Sequence, residues 1–220
     1  MRYIYTILLY SSLSTCNQNN TTSTPPKTDS VSIKIDSSIS KTVSVDSGTF
    51  WLKDDTSLFI LSDKILHSLK TKNYTTLAAS IHPGWKVRFS PYGHIDTLHD
   101  QTLDAEKLLL LEKNQQKIFW GNYDGSGDSI KLSLKEYFKK FVYDVDFLNA
   151  KQKASNNFIT NGGSFSNIKS IYPTAGFTHY YFSAINPKYN GMDWKGLVLI
   201  FKKENGKIWL IGVVHDQWRV

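Results

Sequence analysis

The 220-residue chain holds one cysteine, Cys16, so no disulfide within it can staple the fold and a hydrophobic core has to do so. It has no apolar run near the roughly 20 residues that span a bilayer. No Gly-x-Ser-x-Gly elbow is present, and Gly125-Ser126-Gly127 lacks the strand-to-helix setting a serine nucleophile needs. Phosphate-loop and dinucleotide fingerprints are missing as well. The six histidines show no paired metal-ligand spacing. These absences leave a serine hydrolase, a nucleotide-dependent enzyme and a zinc protein without support, and no cofactor is expected.

What is present starts at the N-terminus. Arg2 supplies a short positive region, Tyr3 to Tyr10 an apolar one, and Leu13-Ser14-Thr15-Cys16 follows. This resembles a bacterial lipoprotein signal ending in a lipobox, with Thr15 where Gly, Ala or Ser is usual. Residues 17–27 are nearly all Asn, Gln, Thr, Ser and Pro, too polar to order themselves by burial. The order of parts predicts a signal peptide over 1–15, a lipidated (palmitate-bearing) Cys16 with a polar tether over 16–48, and one domain over 49–220. The expected location is the bacterial cell envelope, lipid-anchored at the outer membrane on its periplasmic or surface face.

The whole chain carries 26 basic and 19 acidic residues, a net charge of +7, and loss of the leader would remove only Arg2 from that count. In an envelope protein the anionic partners to expect are lipid headgroups, acidic glycans or cell-wall polymers, not nucleic acid. The basic residues are scattered, as on a solvated surface.

Along the domain, Val31 to Val45 shows a weak period-2 pattern that allows an edge strand, and compact structure is expected from about Phe50. Leu58, Leu61, Ile65, Leu66 and Leu69 predict a helix over 57–72, with Asp55 or Thr56 available to cap it. Tyr74, Leu77, Ala78 and Ile81 predict a short second helix, stopped by Pro83-Gly84. Strands are expected at 86–90 and 117–120, and a helix at 103–113 between them. Ser133-Leu134-Lys135-Glu136 is a capping box that opens another helix. Thereafter 164–172 and 177–182 read as strands, and 196–203 with 207–218 as a hairpin about Asn205-Gly206. Both final strands are apolar on both faces, so helices must cover one face and something else the other. Helices early and an antiparallel sheet late give an α+β domain.

Several segments carry a resemblance: 88–92 (RFSPY), 120–128 (WGNYDGSGD), 141–147 (FVYDVDF), 191–194 (GMDW) and 215–218 (HDQW). Over residues 57–220 they resemble an uncharacterised family of bacterial extracellular domains, similar in general shape to the nuclear transport factor 2-like cone. The resemblance implies N-terminal helices on a curved antiparallel sheet and leaves both small dehydratases or isomerases and binding modules open. Cone-type sheets often pair, so it also allows a homodimer.

His215 and Asp216 are neighbours on a strand, where successive side chains point to opposite faces, so they cannot form a direct dyad. With Val213, His215 and Gln217 inward, His215 becomes a candidate acid or base; the plainer alternative is a histidine hydrogen-bonded at a strand end. His179, Asp144 and Asp146 complete the catalytic candidates. Arg88 is either a surface residue, a buried anion-binding group, or the partner of Asp124, Asp144 or Asp146, the last being preferred. Asp124, Ser126 and Asp128 alternate in the manner of calcium ligands, but without the glycine and distal glutamate such a loop needs. Tyr92, Trp120, Asp193, Trp194, Gln217 and Trp218, with Trp85 and Tyr123, are candidates for ligand contact. The sum predicts an envelope lipoprotein with a non-catalytic domain that binds a glycan, a small molecule or a protein. The alternative is a cofactor-independent hydrolase or dehydratase.

Overall fold

The computed structural model describes residues 55–159 and 167–218. The leader, Cys16, the tether, the strand expected within 31–45 and the expected domain start near Phe50 lie outside those residues. The described elements run in chain order as α1 (Asp55–Lys70), α2 (Tyr74–Ala78), β1 (Val87–Ser90), β2 (Gln101–Leu103), α3 (Ala105–Asn114), β3 (Ile118–Asn122), β4 (Ser129–Leu132), α4 (Leu134–Phe141), β5 (Gln152–Ser155), α5 (Ile168–Ile171), β6 (Gly176–Phe182), β7 (Lys195–Glu204) and β8 (Lys207–Gln217). They form an α+β fold. None of the described helices is long and apolar enough to cross a membrane.

Six strands make one sheet in the order β2-β1-β8-β7-β6-β5, and β3 with β4 forms a separate hairpin. Every neighbouring pair is antiparallel except β1 with β8, which is parallel. The centre of the sheet is the β7–β8 hairpin. Asn205 and Gly206 both take positive φ at its turn, 50° and 78°, the twist that matches two right-handed strands. Along β8 one extra residue, Ile211, stands between the partners of Ile200 and Phe201 and makes a bulge.

Away from its turn the hairpin has no wet face. On one side Leu197, Leu199, Phe201, Leu210 and Val213 meet Tyr180 of β6, Val87 and Phe89 of β1, and the apolar stripes of α1 to α4. On the other side Val198, Ile200 and Val214 meet Phe177, Ile168 of α5, Ala175 and Ile95, with Phe158 and Tyr172 packed at the margin. The second covering of the sheet is therefore made by α5 and loops rather than by another helix layer. Here one expectation fails. Within 164–172 the described part is a single helical turn, α5, whose Ile168 side chain is drawn into this outer cluster and whose chain is stopped by Pro173.

α4 shows what fixes a helix in this fold. Its capping box is present: Ser133 Oγ accepts from Glu136 N at 3.4 Å, and Glu136 Oε2 accepts from Ser133 N at 2.8 Å. Such a cap contributes about 1 kcal/mol. Leu134, Tyr137, Phe138 and Phe141 are all buried, and each buried side chain of that size contributes about 1.5–3 kcal/mol. Packing decides the helix and the cap sets its start. A polar pair, Ser62 Oγ with Thr178 Oγ1 at 2.8 Å, registers α1 on β6, and Tyr180 donates to Asp63 Oδ1 at 3.1 Å beside it.

Trp120 lies in this core rather than at a ligand-facing strand end. It is fully buried, stacked on Tyr137 with ring centroids 3.9 Å apart, and its indole N–H donates to Leu132 O at 2.8 Å. The Tyr137 hydroxyl beneath it is buried with no hydrogen-bond partner among the described residues. A buried donor left unmade costs free energy that a phenyl ring does not incur. Tyr137→Phe is therefore expected to raise stability by about 1 kcal/mol in denaturant unfolding. Tyr137→Ala should cost about 4 kcal/mol by opening the stack. Unchanged or lower stability of the Phe variant would show that the hydroxyl has a partner.

Candidate functional site

The helix-facing side of β7 and β8 carries apolar residues until the strands reach their far end, where it turns polar. There Leu197 pairs with His215 and Lys195 with Gln217, so Lys195, His215 and Gln217 share one face. The chain leaving α4 at Phe141 drops Asp144 onto them. His215 Nε2 lies 3.2 Å from Asp144 Oδ1, off the line of a good hydrogen bond, and its Nδ1 lies 3.4 Å from Pro91 O. Both ring nitrogens thus face acceptors. Lys195 Nζ donates to Asp144 Oδ2 and, at 3.3 Å, to Gln217 Oε1. Phe141 closes the edge of the imidazole, ring centroids 6.1 Å apart.

Exposure grades outward through this cluster. The side chain of His215 is 0% exposed, that of Asp144 8% and that of Lys195 23%. Above them lies a shallow groove of about 500 Å³, lined by Asp144, Lys195 and Gln217 together with Tyr123, Leu132, Glu136, Lys139 and Lys140. Lys140 donates to Tyr123 Oη at 3.1 Å and lies 4.4 Å from the centre of that ring. Burial works to raise the Asp144 carboxyl, but the imidazole of His215 and the ammonium of Lys195 outweigh it and hold the carboxyl below its ordinary value.

The remaining sequence-level candidates are dispersed. Asp146, two residues from Asp144, faces the surface, where Lys70 donates to it at 2.7 Å together with Tyr143 and Asn149; these bonds hold it down at about 2. His179 pairs with Val198, on the face of the sheet away from His215, so the two histidines cannot act on one substrate. Burial pushes the His179 imidazole down to about 4, and its Nδ1 accepts from Ile159 N at 3.0 Å. Asp216 is also buried on that far face, as strand alternation requires, and its Oδ1 accepts from Gln217 N.

Arg88 joins none of Asp124, Asp144 or Asp146 in the observed hydrogen bonds: its Nη1 donates to the carbonyls of Thr97 and Asp100, at 3.4 and 3.3 Å. Tyr92 packs on Phe141 and accepts from Asp124 N at 3.2 Å. Asp193 staples a turn by accepting from Ile185 N and Asn186 N, and Trp194 lies against Tyr181. Trp218 follows β8, 44% exposed, and its N–H donates to Trp194 O. The 124–128 loop closes on itself, Tyr123 N donating to Asp128 O, Gly127 N to Tyr123 O and Asp128 N to Ser126 Oγ. Among the described residues no three His, Cys, Asp or Glu side chains gather as metal ligands would.

No family model, curated protein or solved structure matches the chain. What the site does therefore rests on its geometry. Of the expected residues the fold brings together His215, Asp144 and Gln217, and it adds Lys195, which the sequence reading missed. The signal for it was in the hairpin: counting back from Asn205-Gly206 brings the region of Lys195 opposite the end of β8.

A carboxyl held lower in the folded chain than in the unfolded one binds its proton less readily when folded. Its stabilisation is present above the unfolded aspartate value of about 3.9 and is lost as pH falls below it. Asp144→Asn leaves Lys195 and His215 without their acceptor charge and is expected to cost about 3 kcal/mol at pH 6. Denaturant unfolding at a series of pH values should show that deficit shrinking below about pH 4. A deficit independent of pH would mean that Asp144 is held by packing, not by charge.

Proposed function

We propose that the chain is an envelope lipoprotein, anchored through Cys16, whose α+β domain binds an acidic glycan at the Tyr123–Lys140–Lys195 groove without acting chemically on it. The observation that carries this reading is the burial gradient. The one histidine beside the groove is sealed behind Asp144, and Asp144 is clamped by Lys195, so neither is presented to a ligand as a ready acid or base. What the groove does present is an aromatic ring with a lysine at its side, a second rim lysine and a carboxamide, while its two carboxylates are already engaged, Asp144 by Lys195 and Glu136 by the α4 cap and Lys117. Those groups suit a sugar ring bearing a negative charge. The lipobox-like segment 13–16 and the polar tether support the anchor. Four helices against one face of a six-stranded sheet, with a polar cluster at the end of that face, support a nuclear transport factor 2-like cone.

A hydrolase or dehydratase using His215 and Asp144 is the weaker reading, because either residue would have to shed its present partner to reach a substrate.

Two measurements test the proposal. Expressed in a bacterial host with radiolabelled palmitate, the chain should take up label, and Cys16→Ala should not; label retained by the variant removes the anchor from the reading. Thermal unfolding with oligogalacturonates should raise the midpoint, since a ligand at a hundred times its Kd adds about 2.7 kcal/mol. The rise should disappear in Lys139→Glu/Lys140→Glu. Turnover of an added glycan that is abolished by His215→Gln would instead establish the enzyme.

A further inference from the structure

A second groove lies on the opposite face of the sheet, and its lining is unlike the first. It encloses about 390 Å³. Thr102, Arg88 and Lys202 stand on β2, β1 and β7, Trp85 and Lys86 precede β1, and Tyr172 closes the far wall after α5. Thr102 pairs with Arg88 across the β1–β2 ladder, and Arg88 with Gly212 of β8, so the row is set by strand register rather than by loops. Three cations and no carboxylate line the space.

Two of these cations are held in place. Arg88 Nη1 is fixed by two carbonyls, those of Thr97 and Asp100, and the guanidinium meets the Tyr172 hydroxyl. Lys202 Nζ sits 4.7 Å from the centre of the Trp85 ring. The Asp100 carboxyl acts on the Arg88 guanidinium through space. It is turned to other donors, the Ser90 hydroxyl and, at 3.0 Å, the Asp96 N–H. A guanidinium fork with two ammonium groups and hydroxyls from Thr102 and Tyr172 offers more donors than one carboxylate can accept. A phosphate dianion has the oxygens and the charge to match. Beside Thr174, the rest of the lining, from Ile171, Pro173, Ala175 and Ile211, is apolar and would face the carbon part of an ester.

The geometry points to a binding site for a small organic phosphate ester in this groove, separate from the Asp144 groove. It goes beyond the glycan reading and does not rest on it.

Isothermal titration of the full chain tests this with four probes: glycerol 3-phosphate, glycerophosphoglycerol, inorganic phosphate and acetate. Glycerol 3-phosphate should bind about tenfold more tightly than inorganic phosphate, because only the ester uses the apolar wall. Glycerophosphoglycerol binding as tightly would identify the source as a diester headgroup, which also supports the site. Lys86 and Lys202 are exposed, so Lys86→Glu/Lys202→Glu should fold with an unchanged thermal midpoint and lose binding at least tenfold. Arg88→Lys should weaken the phosphates while keeping the charge. Lys139→Glu/Lys140→Glu, in the other groove, should change nothing here. Acetate binding as well as the esters, no heat from any phosphate at millimolar concentration, or binding that survives the double charge reversal would each overturn the proposal.

Discussion

A strand pair that is apolar on both faces cannot be left against water on either side, and β7 with β8 is such a pair. Leu197, Leu199 and Val213 on one face and Val198, Ile200 and Val214 on the other are all buried. Three longer-range consequences follow from that demand. Helices α1 to α4 must supply one cover, and β1 and β6 must flank the hairpin. The chain around α5 must be folded back over the other face even though it has little regular structure to offer. Both grooves are by-products of these two coverings. Each lies where a cover stops short of the strand ends and polar side chains take over.

Much of this was legible because it depends on local pattern. The Ser133–Glu136 box, the Asn205-Gly206 turn and the i, i+3, i+4 leucines of α1 each carry their structure within a few residues. Strand alternation was enough to separate His215 from Asp216. The strands that went unread are β2, β4 and β5. They are three or four residues long, and β5 is Gln-Lys-Ala-Ser at the sheet edge, where a strand needs no apolar alternation. The composition of 164–172 predicts a strand, and tertiary burial of Ile168 overrides that preference at Ile168–Ile171.

The site was half legible for a related reason. His215, Asp144 and Asp146 could all be named from the sequence, but choosing between the two aspartates could not be done there. Asp144 and Asp146 are two residues apart in a stretch with little regular structure, and only the path of the chain after Phe141 sends one to the sheet and the other to Lys70. Of the alternatives open to Arg88 the sequence favours a carboxylate partner, whereas its hydrogen bonds go to two carbonyls, a choice set by the 96–100 loop that no periodicity announces. Charge pairing over long sequence separations is the least local property of the chain, and it was read least well.

The extra residue at Ile211 gives the hairpin a phase shift. Near the turn Leu210 points at the helices, an even-numbered position; beyond the bulge Val213, His215 and Gln217 do, all odd-numbered. Without that offset the ladder would set Lys195 opposite Asp216 and turn His215 toward the outer face, and the whole polar end of the sheet would exchange sides. Which of two adjacent ionisable residues faces the helices and which faces the outer cover is thus decided some four residues away by a single unpaired position. The two ends of β8 are out of step with each other, so the turn end and the site end keep opposite parities within one continuous strand.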